Sequence, residues 1–201
     1  MISINENALL LGAFLLIFAL AFVLPTVRVW RQTGRSPYVL PASDDAYGFV
    51  TRCLKLLMGA LLVYTVAQAI WPASILSLGL IGQDEAALPR TAGWTALAVA
   101  LLWTVCAQYQ MGQSWRIGID TEHRTPLVTS GLFAWSRNPI FLAMRVCLGA
   151  LVLLQPNAVT AVLFVAGDLV MQFQVRLEEA FLQEQHGAAY AAYCDRVRRW
   201  L

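Results

Sequence analysis

The side chains able to do chemistry gather in the last third of the chain. Ser136-Arg137-Asn138-Pro139-Ile140-Phe141 opens an apolar run, Arg176-Leu177-Glu178-Glu179 closes the next, and His186-Gly187-Ala188-Ala189-Tyr190-Ala191-Ala192-Tyr193 follows. Arg145 and Asp168 interrupt the apolar runs themselves. Charge beside or within such runs is costly unless it finds a partner or water, so clusters there mark a site. Carboxylates suit hydroxyl-bearing ligands, arginine suits carboxylates and phosphates, and aromatic rings suit planar and cationic groups.

The elements that must position these groups are membrane helices. With 201 residues, 59% hydrophobic and 13% charged, and a mean hydropathy of +0.61, the chain lies far from the roughly 25% charge of soluble domains. Runs near the roughly 20 residues that cross hydrocarbon extend from Ala8 to about Trp30, from about Leu54 to Trp71 and from about Gly93 to Tyr109. The first has no basic segment before it and no small-residue cleavage site after it, and is read as retained. The run from Pro139 to Leu154 is roughly 24 Å long as a helix, Gln155-Pro156-Asn157 supplies a turn, and the return helix runs on through Glu178 and Glu179 for roughly 45 Å. The expected fold is an all-α integral membrane protein of about five transmembrane helices, the last two a tight hairpin, with a cytosolic C-terminal helical segment. One domain spans 1–201: N-terminal helices over about 8–111 and a catalytic part over about 112–201.

Basic residues set the orientation. Arg28, Arg31, Arg35, Arg52 and Lys55 flank the first loop, Arg116, Arg124 and Arg137 lie in the third, and Arg176, Arg196, Arg198 and Arg199 lie at the end; the second loop has only Arg90. The expectation is a multi-pass protein of the bacterial inner membrane, N-terminus outside and C-terminus cytosolic. A formal charge of +2, spread in topology-signal clusters, excludes nucleic acid as a partner. Partners are the bilayer and a membrane lipid or hydrophobic small molecule.

With the hairpin turning at 155–157, facing positions have numbers that sum to about 312, which sets Arg145 beside Asp168. The pair serves as a structural neutralisation or takes a direct catalytic role. Asp168, Gln172, Arg176 and Glu179 fall on one helical face. A polar cleft bounded by Arg137, Asn138, Gln172, Glu178 and Glu179 is expected at the hairpin mouth, with interfacial snorkelling the plainer account of Arg176.

Several chemistries drop out. Cys53, Cys106, Cys147 and Cys194 form no C-x-x-C pair and support neither a disulfide framework nor a zinc site. Two histidines are too few for a membrane di-iron centre. Asp120, Glu122 and His123 are explained as readily by a charged interfacial loop as by a metal, and no metal is expected. Ser130 and Ser136 sit on no nucleophile elbow, and there is no phosphate-binding loop. Carboxylates, an arginine and the rings of Trp115, Phe141, Tyr190 and Tyr193 remain, an inventory that fits a nucleoside-sulfonium donor.

Arg137-Asn138-Pro139-x-Phe141, Glu178-Glu179-x-x-Leu182 and His186-Gly187-x-x-Tyr190-x-x-Tyr193 with a basic ending resemble the isoprenylcysteine carboxyl methyltransferase and phospholipid methyltransferase superfamily. Its usual pattern is R-H-P-x-Y, E-E-x-x-L, F-G-x-x-Y-x-x-Y and V-P-R. The resemblance covers about the last 70 residues, with a weaker echo at Gly112-Gln113-Ser114-Trp115-Arg116. It implies an S-adenosylmethionine-dependent methyltransferase with Arg137, Asn138, Pro139, Phe141, Gln172, Glu178, Glu179, Tyr190 and Tyr193 at the cofactor. Glu178 and Glu179 would cap it, one of them on the ribose. Arg116, Arg145 and Glu179 are the candidate catalytic residues, Arg116 or Arg145 holding a carboxylate or phosphate of the acceptor. Asn138 stands where His is common, Phe141 for Tyr, His186 for Phe and Arg198 for Pro, so the acceptor (isoprenylcysteine carboxylate-like, phospholipid amine or thiol) is not inherited. A nicotinamide-dependent membrane lipid or steroid reductase and a non-enzymatic protein retaining the hairpin are the alternatives.

Overall fold

Apolar runs of membrane length become helices because hydrocarbon leaves backbone groups only one another to bond. The computed structural model describes residues 4–40, 43–71, 87–118 and 125–201. Its helices are α1 (Ile4–Phe18), α2 (Leu24–Thr33), α3 (Ala46–Ile70), α4 (Ala87–Met111), α5 (Pro139–Leu154), α6 (Ala158–His186) and α7 (Ala188–Arg196). Four stretches, Glu6–Thr33, Ala46–Ile70, Pro89–Ser114 and Ala158–His186, are long and apolar enough to cross a membrane, and α5 is a shorter apolar helix. The chain is thus an all-α integral membrane protein.

The first span is not one regular helix, as its unbroken apolar run suggests. A π-helical turn, Ala19–Val23, separates α1 from α2, and Pro25 sits in the first turn of α2. Proline lacks an N–H and cannot continue the ladder. A carbonyl at the bulge is satisfied from the neighbouring helix, where Gln108 Nε2 donates to Ala21 O at 2.6 Å.

Two short segments pair in parallel outside the helices, Tyr38 with Ile117 and Val39 with Gly118 (β1, Tyr38–Val39; β2, Ile117–Gly118). They tie the segment after α2 to the one after α4. Gly118 has φ +94, and a Cβ there would lie 2.5 Å from Val39 O, so glycine is required.

The hairpin that carries the site is asymmetric for a reason visible in its ends. Pro139 starts α5, whose 16 residues end at Leu154. Asn157 accepts from the Thr160 N–H while the Thr160 hydroxyl accepts from the Asn157 N–H, a reciprocal cap that starts α6 sharply. α6 has 29 residues and is therefore about 20 Å longer than α5. Its last turns, bearing Glu178 to His186, stand beyond the mouth of the hairpin.

The closed end is fastened by buried polar groups. Gln155 Nε2 donates to Asn7 Oδ1 at 3.1 Å, and the Tyr64 hydroxyl accepts from Asn157 Nδ2 at 2.8 Å and Gln68 Nε2 at 3.2 Å. Beside them Arg90 meets Glu6 at 3.1 Å. The apolar core links Leu10, Leu57, Leu61, Leu97, Leu148, Leu151, Leu163 and Met171. α5 lies between α4 and α6, and α6 also packs on α3.

Candidate active site

Pro139 begins α5 and leaves Asn138 as its cap residue, yet the Asn138 side chain makes no cap bond. It reaches across the hairpin instead. Asn138 Nδ2 donates to Glu179 Oε1 at 3.0 Å, and Arg137 Nε donates to the same oxygen at 3.2 Å. Glu179 Oε2 accepts from Arg199 Nη2 at 2.8 Å and Nε at 3.0 Å, and from Arg137 Nη2 at 3.3 Å. One buried carboxylate thus pairs with two arginines and offsets one of their two charges, through charge-assisted hydrogen bonds at the mouth of the hairpin.

The same residues bind the chain after α7. Arg137 N–H donates to Arg198 O at 3.0 Å, and Arg137 Nη1 donates to the carbonyls of Val197 (3.1 Å) and Cys194 (3.3 Å). Ser136 Oγ accepts from the Asn138 N–H at 3.1 Å and donates to Arg199 O at 3.2 Å. Residues 197–200 therefore lie over the mouth of the hairpin.

Tyr190 and Tyr193 sit beneath that strap, one helical turn apart on α7, with ring centroids 6.0 Å apart in an edge arrangement. The Tyr193 hydroxyl donates to Phe133 O at 2.6 Å. Burial pushes the Tyr193 hydroxyl up to about 12 from the ordinary 10.0. Burial, then the Glu179 charge, raise Tyr190 as well. The Tyr190 hydroxyl is buried without a geometrically sound hydrogen bond, the Cys194 thiol beside it being a weak partner. Its hydrogen bond to Glu179 raises Arg199 above its ordinary range.

Arg145 and Asp168 do pair across the hairpin, Nε to Oδ1 at 2.5 Å, as the facing-position sum requires. The Arg145 guanidinium also lies 4.5 Å from the centroid of the Trp200 ring. The strap therefore touches the hairpin at Arg137, Asn138, Glu179 and Arg145.

The remaining expected residues go elsewhere. Gln172 Oε1 accepts from Arg176 Nη1 at 3.1 Å, one turn along α6. Phe141 packs against the apolar core. Pro139 is fully buried, its carbonyl accepting from Trp103 Nε1 at 3.1 Å. Glu178, about 100° around α6 from Glu179, interacts electrostatically with Arg116. Arg116 Nη1 donates to Thr125 Oγ1 at 2.7 Å, and its guanidinium lies 5.7 Å from the centroid of Phe181.

The expected single cleft is therefore two polar groups on different faces of α6: Arg137, Asn138 and Glu179 with Tyr190 and Tyr193 nearby, and Glu178 with Arg116. Ser136, Arg199 and Trp200 were missed as site residues. The basic ending that contains Arg199 reads equally well as a topology signal, and nothing in local spacing brings residue 199 back to residue 179. Asp120, Glu122, His123 and Arg124 lie outside the described residues.

Comparison with known proteins follows this geometry. Residues 93–184 match the model of the isoprenylcysteine carboxyl methyltransferase (ICMT) family. A solved structure of the eukaryotic intramembrane Ras methyltransferase ICMT aligns over 96% of this chain and 83% of its own, with 16% identity and a TM-score of 0.46. No curated protein sequence matches. The family match contains α5, Arg137, Asn138 and both glutamates. Over residues 93–184 this α-helical membrane protein is thus similar to the isoprenylcysteine carboxyl methyltransferase family.

Proposed function

We propose that the chain is an integral membrane methyltransferase that moves a methyl group from S-adenosylmethionine to a lipophilic or small amphipathic acceptor. The observation that carries this reading is the meeting of three distant segments, Arg137-Asn138, Glu179 and Tyr190 to Tyr193, at one point beside the membrane. The residues fit such a donor: a buried tyrosine hydroxyl lacks a sound partner, and the Glu179 carboxylate, Arg137 and the Tyr193 ring adjoin it.

S-adenosylmethionine, when bound, supplies a methyl group already activated on a sulfonium sulfur. Arg137, Asn138, Glu179, Tyr190 and Tyr193, which the fold brings together, would hold it, with Glu178 on the adjoining face of α6. Glu179, with both oxygens engaged by Arg137, Asn138 and Arg199, fixes the frame, which leaves Glu178 the freer carboxylate for a ribose diol. The Tyr190 hydroxyl offers a hydrogen bond to a polar atom of the donor. The strap of residues 197–200 excludes water, and alignment in a dry cleft is the main source of rate when the leaving group is preactivated. Arg116 or Arg145 would hold the anionic group of the acceptor, which enters from the bilayer.

Calorimetric titration of the purified protein with S-adenosylmethionine and, separately, NADPH tests the reading. Binding of the first, weakened at least about tenfold by Glu178→Gln through loss of charge-assisted hydrogen bonds, is the expected result. Binding of NADPH alone would replace the reading with a reductase, and no heat with either would leave a non-enzymatic protein.

A further inference from the structure

A cavity of about 210 Å³ lies apart from the Glu179 cluster, between the end of α2 and the segment that follows α4. Its polar lining is Thr33, Arg35, Ser36, Gln113, Ser114, Arg116 and Thr125, and no carboxylate lines it among the described residues. Sites for drug-sized ligands start near about 300 Å³. The space is ample for a compact charged group.

Arg116 supplies the second observation. One of its five N–H donors, Nε, is buried with no hydrogen-bond partner, and Nη1 is spent on Thr125. An unmet donor on a cation in a half-closed cavity is costly unless a ligand completes it. Glu178 interacts electrostatically with Arg116 and offsets one positive charge, and the exposed Arg35 at the rim has no carboxylate beside it in the cavity lining among the described residues. Two arginine forks with four hydroxyls and an amide provide donors on several sides. That distribution fits the tetrahedral oxygens of a phosphate better than a planar carboxylate, which one fork would satisfy.

The walls are held in place. Ile117 N–H donates to Pro37 O at 2.9 Å, and the β1–β2 pairing continues beyond it. The cavity also lies at the end of a membrane span: Arg31 and Trp30, the latter 57% exposed, occupy the last turns of α2. Basic and tryptophan side chains at a span end are the usual companions of lipid headgroups.

We propose that this cavity binds one phosphate group, supplied by the headgroup of an anionic lipid whose acyl chains stay in the bilayer. As an anchor for an acceptor it rests on the methyl-transfer reading; as a phosphate site it does not, so its test contains no methyl donor. Delipidated protein in uncharged detergent is titrated with short-chain phosphatidylglycerol, with the matching diacylglycerol, and with inorganic phosphate, and bound ligand is counted by native mass spectrometry.

One bound phosphatidylglycerol, no bound diacylglycerol, and a loss of at least about tenfold in affinity in Arg116→Gln are expected, with a smaller loss in the solvent-exposed Arg35→Gln. Displacement by millimolar inorganic phosphate would assign the site to free phosphate as well as lipid. Equal binding of diacylglycerol would overturn the proposal, as would unchanged affinity in Arg35→Gln together with Arg116→Gln. Thr125→Ala, which removes only a hydroxyl from the lining, replaces Arg116→Gln if that variant does not fold, and unchanged affinity there and in Arg35→Gln overturns the proposal equally.

Discussion

Glu179 joins two helices and the chain end through Arg137, Asn138 and Arg199, so its charge is structural before it is anything else. Glu179→Gln leaves two arginines without their anion, and breaking a buried pair from one side costs about 3 kcal/mol. Arg199→Gln removes a group about a third exposed, and solvent screening reduces its cost to about 1 kcal/mol or less. Thermal melting in detergent should rank the variants in that order, and equal midpoints would show that the carboxylate does not hold the strap. Tyr193 gives a pH test. Its folded value of about 12 exceeds the ordinary 10.0, so the neutral form is favoured. The associated stability is intact below pH 10 and is lost as pH rises towards 12. Tyr193→Phe should start lower by about 1 kcal/mol for the lost hydrogen bond and then fall less steeply over that alkaline range. A parallel fall in both proteins would remove Tyr193 as its source.

Helix crossings depend on small residues where hydrocarbon supplies no hydrophobic force between helices. A Cβ on Gly167 of α6 would collide with Leu148 Cδ1 on α5 and lie 3.2 Å from Leu57 Cδ2 on α3. Gly167→Val should therefore cost about 1–3 kcal/mol by overpacking and shift the hairpin that aligns Arg137 with Glu179. An unchanged melting midpoint would mean that the three helices are looser than their side chains suggest. Spacing alone was enough to read the α5–α6 register, because a tight antiparallel turn fixes which residues face each other. Arg145 beside Asp168 follows from counting. The π-helical turn after Phe18 was not legible: Pro25 signals a break, but its placement depends on Gln108 from α4 meeting Ala21 O.

At the scale of the whole molecule, the ends of α2, α4 and α6 carry most of the arginines, and the opposite side carries Arg90, paired with Glu6. We propose five crossings with the N-terminus outside, an arrangement that would put the basic ends on the cytosolic side. Reporter fusions after residue 40 and after Leu201 should both show a cytosolic reporter, and a fusion near residue 80 a translocated one. A cytosolic reporter at residue 80 would require a different number of crossings. The parallel pairing of β1 with β2 joins the segment after α2 to the segment after α4, so the two lie on the same side.

Composition and hydropathy by themselves determined a membrane-embedded helical chain, because sustained apolar length has few other solutions. Motif order determined which segments hold the polar groups, since Asn138-Pro139, Glu178-Glu179 and Tyr190 to Tyr193 are legible wherever they fold. Only the tertiary structure decided that the two adjacent glutamates have different partners. Neighbours on a helix point about 100° apart, so Glu179 turns to Arg137 and Arg199 while Glu178 turns to Arg116. It also decided that residues 197–200 close over the hairpin, a contact between positions far apart in sequence that no local periodicity encodes.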